Sequence, residues 1–189
     1  MAKKQPMFVQ GSLFEENYLL RTLGPVAYRP DIALTEIVAN AWDAGASKVN
    51  ILIPDSCDKP LVIEDDGTGL TKDEFEQRWM KLGYDRIKHQ GRHVEFPPGI
   101  SRTRLAYGRN GVGRHGLLCF NNFYTVVTKK AGKKNTFKIS TLSESQPFVM
   151  QERYQEDSPG YGTKDLSINS SCFPQGYDRS SQVKQGQMG

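Results

Sequence analysis

The segment 36–46, which reads EIVANAWDAGA, constrains the fold of this chain more than any other. Glu36, Asn40 and Asp43 recur at spacings i, i+4 and i+7. An α-helix has about 3.6 residues per turn, so these three polar side chains share one helical face. The residues between them are apolar and suit burial on the opposite face. The pattern therefore predicts an amphipathic helix that presents two carboxylates and an amide to a common site.

Such a row of oxygen-bearing side chains is typical of a site for a magnesium nucleotide. An amide oxygen such as that of Asn40 binds a hard cation without adding charge, and Mg²⁺ takes few protein oxygens beside phosphates and waters. Glu36, one turn earlier, is placed to polarise a water for attack on a γ-phosphate. For Glu36 considered alone, a polar face that meets only solvent is the favoured interpretation, so other segments must decide.

Length and composition limit the classes of protein to which this chain can belong. The chain has 189 residues and a formal net charge of +4, a length that suffices for one domain with a hydrophobic core. No apolar run approaches a membrane span, and residues 1–5 lack the apolar core of a signal peptide. The three cysteines, Cys57, Cys119 and Cys172, are far apart, which favours reduced thiols over disulfides or a zinc site. We therefore expect a cytoplasmic protein, or a nuclear one in a eukaryote.

Positive charge is concentrated in residues 86–114, where Glu95 is the one acidic residue. A solvated basic loop is the plain interpretation. The functional interpretation is a cationic segment that meets nucleotide phosphates or a nucleic acid. Charge alone does not favour either of these two interpretations. The basic residues of this segment are Arg86, Lys88, Arg92, Arg102, Arg104, Arg109 and Arg114.

Capping signals mark three helices. A capping box predicts a short first helix over 12–23. Asp31 is a candidate N-cap, and Gly45 a candidate stop, for the helix of the opening motif. A second capping box, at 71–74, opens a helix whose apolar stripe we interpret as core rather than as a stacking platform. The stripe consists of Phe75, Trp79 and Leu82. Residues 83–107 then show little periodicity, and long aperiodic loops in compact domains are usually functional or disordered.

Apolar runs with β-forming residues predict several strands. Helices come first and strands dominate later, so we predict an α+β two-layer sandwich with helices on one face of a mixed, mostly antiparallel sheet. After residue 169 the chain is rich in Ser, Gln and Gly and is interpreted as a polar tail or linker. The predicted strands are 47–53, a strand that starts at 61, 123–128, 136–140, 147–154 and 163–168.

Three further segments combine glycine with polar side chains. Asp65 opens the run DDGTGL at a buried strand end, where a carboxylate can accept a hydrogen bond from an exocyclic amine such as that of adenine. Residues 108–116, GRNGVGRHG, precede an apolar helix start and form a candidate anion site of backbone N–H groups. Gly162 and Thr163 open a late strand, where the hydroxyl could reach a base through water. Singly, each has a plain alternative: an Asp-Gly turn, a flexible loop and a β-forming Thr.

Together, in this order and spacing, the four segments resemble those of the GHKL superfamily of ATPases, which includes the gyrase B subunit, the ninety-kilodalton heat-shock chaperone, histidine kinases and MutL. The resemblance spans about residues 12–168. Residues 29–46 look like the first motif of MutL, whereas the loop 108–113 looks more like that of the heat-shock chaperone or of MORC-type ATPases. The resemblance implies the Bergerat α/β sandwich over residues 1–168, with ATP and Mg²⁺ as ligands and an ATP lid at about 83–107.

The resemblance also implies residue roles. Glu36 would activate water as general base, and Asn40 would coordinate Mg²⁺. Asp65 would hydrogen-bond the adenine amino group, with support from Thr163. Histidine kinases usually lack a carboxylate at the position of Glu36, so its presence favours hydrolysis over phosphotransfer.

Two groups of residues are implied to complete the ATP site. The residues beside the base and ribose or in the adenine pocket are Asp43, Ala44, Gly67, Gly69 and Leu70. The residues at the phosphates are Gly108, Arg109, Asn110, Gly111, Val112, Gly113, Arg114 and His115. Family hydrolases commonly receive a further γ-phosphate contact from a following domain. We therefore interpret 169–189 as a linker toward a second domain and expect slow turnover from this chain alone.

Three functional hypotheses remain. The leading one is a Mg-ATP hydrolase whose lid closure drives homodimerisation or a conformational switch in a larger protein. The second is a nucleotide-gated scaffold with little turnover, whose lid recruits a protein or DNA partner. The third is a histidine-kinase catalytic domain, which Glu36 and the lack of a phosphoacceptor helix disfavour.

Overall fold

An antiparallel sheet forms one layer of the structure, a computed structural model that describes residues 18–56, 59–108, 111, 113–140 and 149–169. Its strands are β1 (Val49–Leu52), β2 (Pro60–Asp65), β3 (Phe123–Lys130), β4 (Lys133–Ser140), β5 (Val149–Asp157) and β6 (Gly162–Asn169). The six strands lie in the order β1-β2-β6-β3-β4-β5. Each pairing between them is antiparallel, so the mixed character that we predicted is not seen in the described sheet.

The position of β6 decides where distant segments meet. This strand comes last in the chain but inserts between β2 and β3, with Ile63 opposite Leu166 and Thr128 opposite Thr163. The start of β6 therefore lies beside the end of β2, where Asp65 leaves the sheet.

The second layer is helical. It consists of α1 (Tyr18–Leu23), a 3₁₀ helix (Gly24–Ala27), α2 (Pro30–Asp43), α3 (Lys72–Glu74) continued by a π-helical turn (Phe75–Trp79), α4 (Arg86–Gln90) and a second 3₁₀ helix (Gly113–Cys119). The second 3₁₀ helix packs closely on α2, because a Cβ on Gly116 would lie 3.0 Å from the carbonyl oxygen of Ala33. The predicted two-layer α+β arrangement is confirmed.

Helix α2 carries the polar row of the opening motif. Pro30 occupies its first turn, where the missing N–H costs nothing, and Arg29 is the N-cap residue. Our prediction that Asp31 is the N-cap is wrong: its carboxylate instead accepts from the Arg29 guanidinium at 2.7 Å. The helix ends as predicted, since Gly45 follows the C-cap with a left-handed φ of 73°.

Stacked aromatic rings join the two layers. The ring centroids of Phe75 and Phe137 are 3.7 Å apart with an interplanar angle of 7°, and both side chains are fully buried. Trp79 stacks on Phe75 at 5.4 Å, and Leu82 packs against the same core. The interpretation of the Phe75–Trp79 stripe as core is confirmed.

Several elements differ from their predicted extents. Strand β1 begins at Val49 rather than 47, because the N–H groups of Ser47 and Lys48 donate to the Asp66 carboxylate at 2.8 Å each. The helix after the confirmed capping box at Thr71 changes to a π turn, in which the Met80 N–H bonds to the Phe75 carbonyl. The aperiodic segment 83–107 contains α4, which is too short to show a periodicity in the sequence.

Several predictions lie partly outside the described residues. The first helix is described only from Tyr18, and the capping box at 12–15 and the tail 170–189 are not covered. Cys119 is a free, buried thiol whose pKa burial raises to about 11; Cys57 and Cys172 lie outside the description. In the part of the chain that is described, no helix combines the length and apolarity needed to cross a membrane.

Candidate functional site

A cavity of about 810 Å³ opens beside the polar face of α2. Its walls come from α2, the turn after β2, the lid segment (residues 83–107) and the glycine segment (residues 108–116). Predicted site residues from all four sequence segments line it. They are Glu36, Asn40, Asp43, Ala44, Asp65, Gly69, Leu70, Gly108, Gly111, Gly113, Arg114 and Thr163.

Glu36 lies directly against the glycine segment. A Cβ built on Gly113 would overlap the Glu36 Oε2, so only a glycine lets the carboxylate approach this closely. Gly111 has a φ of 62°, and a Cβ there would lie 2.5 Å from the Tyr84 backbone nitrogen. These glycines are therefore needed for close packing on protein atoms. That their amides also hold phosphates stays a prediction.

Asn40 faces the cavity one turn after Glu36. Its Nδ2 is buried and lacks a hydrogen-bond partner among the described residues. Such a group costs about 1–3 kcal/mol, which a ligand or water in the cavity would offset. A flip of the amide would present its oxygen instead.

The donor set fits a magnesium ion that arrives with a nucleotide. No group of three or more His, Cys, Asp or Glu side chains within the described ranges could hold a metal. An ion beside Asn40 would therefore depend on phosphate and water oxygens, which is the usual environment of Mg²⁺ in nucleotide sites.

Asp65 is held at the floor of the cavity by backbone donors. Its Oδ1 accepts from the N–H of Gly67 at 2.9 Å and from that of Thr163 at 3.5 Å. Burial raises the pKa of this carboxyl to about 6, and the hydrogen bonds from Gly67 and Thr163 only partly oppose that effect. The structure thus brings Asp65 and Thr163 together, and the contact of this carboxylate with adenine stays a prediction.

Asp43 holds the end of the lid segment. Its Oδ1 accepts from the Tyr107 N–H at 2.7 Å, and its Oδ2 accepts from the Gly108 N–H at 2.9 Å. The Arg86 Nε is 3.8 Å from the same Oδ2. Asp43 lines the cavity, as the predicted place beside the base and ribose requires, but both of its oxygens are engaged with protein donors.

Part of the basic segment is committed to internal contacts. Arg86 is 8% exposed and donates to the carbonyl oxygens of Asp43 and His93, each at 3.4 Å. The guanidinium carbon of Arg104 lies 3.9 Å from the centroid of the Trp42 ring. These two arginines tie the lid segment to the end of α2. The exposed basic residues of the lid are Lys88, Arg92 and Arg102.

The His115 side chain is not among the groups that line the described cavity, and its predicted place at the phosphates stays a prediction. The imidazole is fully buried, and its Nδ1 lies 3.0 Å from the Tyr124 hydroxyl. Trp79 donates its indole N–H to that hydroxyl at 3.0 Å. Burial lowers the pKa of His115 to about 3, so it is neutral in the fold. This buried polar chain joins the glycine segment to the sheet, and nothing in the sequence marked it.

Gly67 is likewise not among the residues that line the described cavity. A Cβ on Gly67 would be 2.8 Å from the Cβ of Ala44, so this glycine lets the turn after β2 pack on the end of α2. Arg109, Asn110 and Val112 lie outside the described residues, and their predicted roles stay predictions.

Comparisons with known proteins agree with this geometry. The family model described as "Histidine kinase-, DNA gyrase B-, and HSP90-like ATPase" matches residues 28–164, which is most of the chain. A solved structure titled "Crystal Structure of N terminal domain of a DNA repair protein" shares the fold, with a TM-score of 0.50 and 18% identity over 82% of this chain and 39% of that one.

Relatives of known sequence match shorter stretches. The DNA mismatch repair protein MutL of Wolbachia sp. subsp. Brugia malayi (strain TRS) is 31% identical over 99 residues, which is 47% of this chain and 16% of that protein. The putative type II restriction enzyme HgiDII of Herpetosiphon aurantiacus is 28% identical over 104 residues, which is 55% of this chain and 15% of that protein. The chain thus spans a small part of the length of these relatives.

The resemblance found in the four motifs is confirmed by a family model that runs from the start of α2 to the start of β6. The chain belongs to the family of histidine kinase-, DNA gyrase B- and HSP90-like ATPases.

Proposed function

We propose that this chain binds Mg²⁺-ATP in the cavity beside α2 and hydrolyses it slowly. The observation that carries the proposal is the convergence of Glu36, Asn40 and Asp65 on one cavity from two separate elements. Asp65 offers an acceptor for the adenine amine. Helix α2 offers an amide whose Nδ2 has no partner among the described residues, for a magnesium ion, and a carboxylate one turn away, for an attacking water.

Each residue has a defined task in this proposal. Asp65 accepts a hydrogen bond from the adenine amino group, and Asn40 offers its amide oxygen to Mg²⁺. When bound, Mg²⁺ neutralises charge on the phosphates. Glu36 accepts the proton of the attacking water, and its contact with Gly113 keeps the carboxylate beside the glycine segment.

Lid movement is the proposed link between ATP and the rest of a larger protein. The lid segment reaches α2 through the bonds of Asp43 to Tyr107 and Gly108. We propose that lid closure drives homodimerisation or a conformational switch. The printed names of the relatives, a mismatch repair protein and a restriction enzyme, support a DNA-processing assembly as the context. We propose that this assembly lies in the cytoplasm.

A second candidate is a nucleotide-gated scaffold with little turnover. It is favoured by exposed apolar side chains on the lid: Leu105 is 64% exposed, Tyr107 63% and Ile87 42%. Such a surface suits a protein partner. Steady-state phosphate release separates the candidates, because a scaffold retains ATP affinity without turnover. Transfer of phosphate to a protein partner would instead favour the histidine-kinase hypothesis.

Base discrimination tests the proposed ligand directly. Calorimetric titration of the 189-residue chain with Mg-ATP and with Mg-GTP compares an amine with a carbonyl at the position that faces Asp65. We expect GTP to bind at least about tenfold more weakly, because its carbonyl would face an ionised carboxylate. Equal affinity for the two nucleotides, or no binding of either, would contradict the proposal.

A further inference from the structure

Three arginines line the cavity, and they differ in their partners. Arg78 pairs with Glu74 at 3.0 Å, and Arg86 lies 3.8 Å from the Asp43 carboxylate. Arg114 has no acidic partner among the residues that the structure describes. It is thus the cation of the described cavity wall whose charge no carboxylate neutralises.

The position of Arg114 relates it to the proposed reaction centre. It directly follows Gly113, whose Cα lies against the Glu36 carboxylate. Its guanidinium carbon is 5.4 Å from the centroid of the Tyr84 ring, at the start of the lid segment. The side chain therefore reaches from the glycine segment to the start of the lid segment, and its chain neighbour Gly113 lies against Glu36.

The surroundings of Arg114 favour an anionic ligand. Burial lowers the pKa of its guanidinium to about 10, so the group is still charged at neutral pH but poorly solvated. Arg114 is partly buried; a cation in such a place without a counter-charge is unfavourable, and an anion that enters the cavity would relieve this cost. The planar guanidinium can also give two parallel hydrogen bonds to a phosphate, which fixes the phosphate in orientation as well as in place.

We propose that Arg114 recognises the terminal phosphate of ATP from within this domain. The chain would then distinguish ATP from ADP without a contact from a following domain. This inference rests on the proposed function, since it assumes that the cavity holds ATP. It adds the residue that binds the terminal phosphate.

The test compares two nucleotides across variants. Dissociation constants for Mg-ATP and Mg-ADP are measured with the wild-type chain, Arg114→Gln, Arg114→Lys and Arg153→Gln. The last is a matched control, since Arg153 bonds Glu76 on the sheet surface away from the cavity. Arg114→Gln is expected to weaken ATP about 10- to 100-fold, the worth of a charged hydrogen-bonded contact, and to change ADP little. Arg114→Lys should lower the ATP-to-ADP preference in part, because lysine lacks the planar fork.

The outcomes separate this inference from the function on which it rests. If the wild-type chain binds neither nucleotide, the proposed function and this inference are both overturned. If it binds both, and Arg114→Gln weakens them equally or neither of them, the inference is overturned while ATP binding stands. Thermal unfolding of each variant checks its fold. Should Arg114→Gln fail to fold, an unchanged ATP-to-ADP preference in Arg114→Lys would overturn the inference.

Discussion

The backbone N–H of Thr163 lies 3.5 Å from the Oδ1 of Asp65, although the two residues are 98 positions apart. The contact exists because β6 inserts beside β2. A second donor, the N–H of Gly67, approaches the same oxygen at 2.9 Å. The carboxyl is therefore fixed in orientation, and burial raises its pKa to about 6.

Nucleotide affinity is predicted to fall on acidification through pH 6. The adenine amino group donates to the ionised form of Asp65, and the burial-raised pKa of about 6 means that this form is lost between about pH 7 and pH 5. The ATP phosphates also titrate near pH 6, so the pH dependence of the wild-type chain alone does not identify Asp65 as its cause. The measurement is ATP affinity from pH 5 to 8 for wild type and Asp65→Asn. The variant should bind more weakly at pH 8 and lack the Asp65 part of the pH dependence; identical profiles would refute the assignment.

Asn40→Ala is predicted to remove the magnesium dependence of ATP binding. Asn40 is the amide on the cavity wall whose buried Nδ2 has no partner among the described residues, so its loss should not weaken the ligand-free fold. Calorimetry with Mg²⁺ or with a chelator measures the effect. Thr35→Ala, an exposed change on the same helix, is the control. A variant that keeps the wild-type gain in affinity from Mg²⁺ would exclude Asn40 as the metal residue.

Asp43→Ala is predicted to release the end of the lid segment. The change removes two charge-assisted hydrogen bonds, to the N–H groups of Tyr107 and Gly108. Each is worth about 1.5–3 kcal/mol, so amide hydrogen exchange at both positions should accelerate by about tenfold or more. Asp73→Ala, an exposed change on α3, should leave exchange there unaltered. Unchanged exchange in Asp43→Ala would show that other contacts hold the lid.

Gly113→Ala is predicted to impair hydrolysis more than ATP binding. Its Cβ would overlap the Glu36 carboxylate and displace it, and overpacking of this kind costs about 1–3 kcal/mol of stability. Gly132→Ala is the comparison: it strains a φ of 73° but meets no atom within 4 Å. The comparison variant should lose some stability and keep its turnover. Normal turnover in Gly113→Ala would show that Glu36 is free to move.

Local patterns predicted the central part of the site. The helical spacing of Glu36 and Asn40, and the position of Asp65 at the end of an apolar strand, depend on neighbours in sequence, and the structure turns all three to one cavity. Thr163, by contrast, has a plain local interpretation as a β-forming residue. It reaches Asp65 only because of the strand order, which is a long-range property.

The remaining features depend on contacts that no local pattern encodes. Asp43 lines the cavity, but its bond to the N–H of Tyr107 could not be predicted, because Tyr107 lies 64 residues away in an aperiodic segment. His115 stood in a glycine-rich run that resembled an exposed loop, yet a short 3₁₀ helix turns it into the core. The sequence does not tell whether a basic residue such as Arg86 binds a phosphate or a carbonyl oxygen of the protein. Only the packing of the lid on α2 distinguishes the two.

The most direct test of the account measures ATP binding and phosphate release together in Glu36→Gln. The substitution keeps the size of the side chain beside Gly113 but removes the proton acceptor. We predict that the variant binds Mg-ATP about as tightly as wild type, while its steady-state phosphate release falls by about 10²-fold or more, limited by the slow wild-type rate. Phosphate release at the wild-type rate by Glu36→Gln would contradict the account, because the general base would then lie elsewhere.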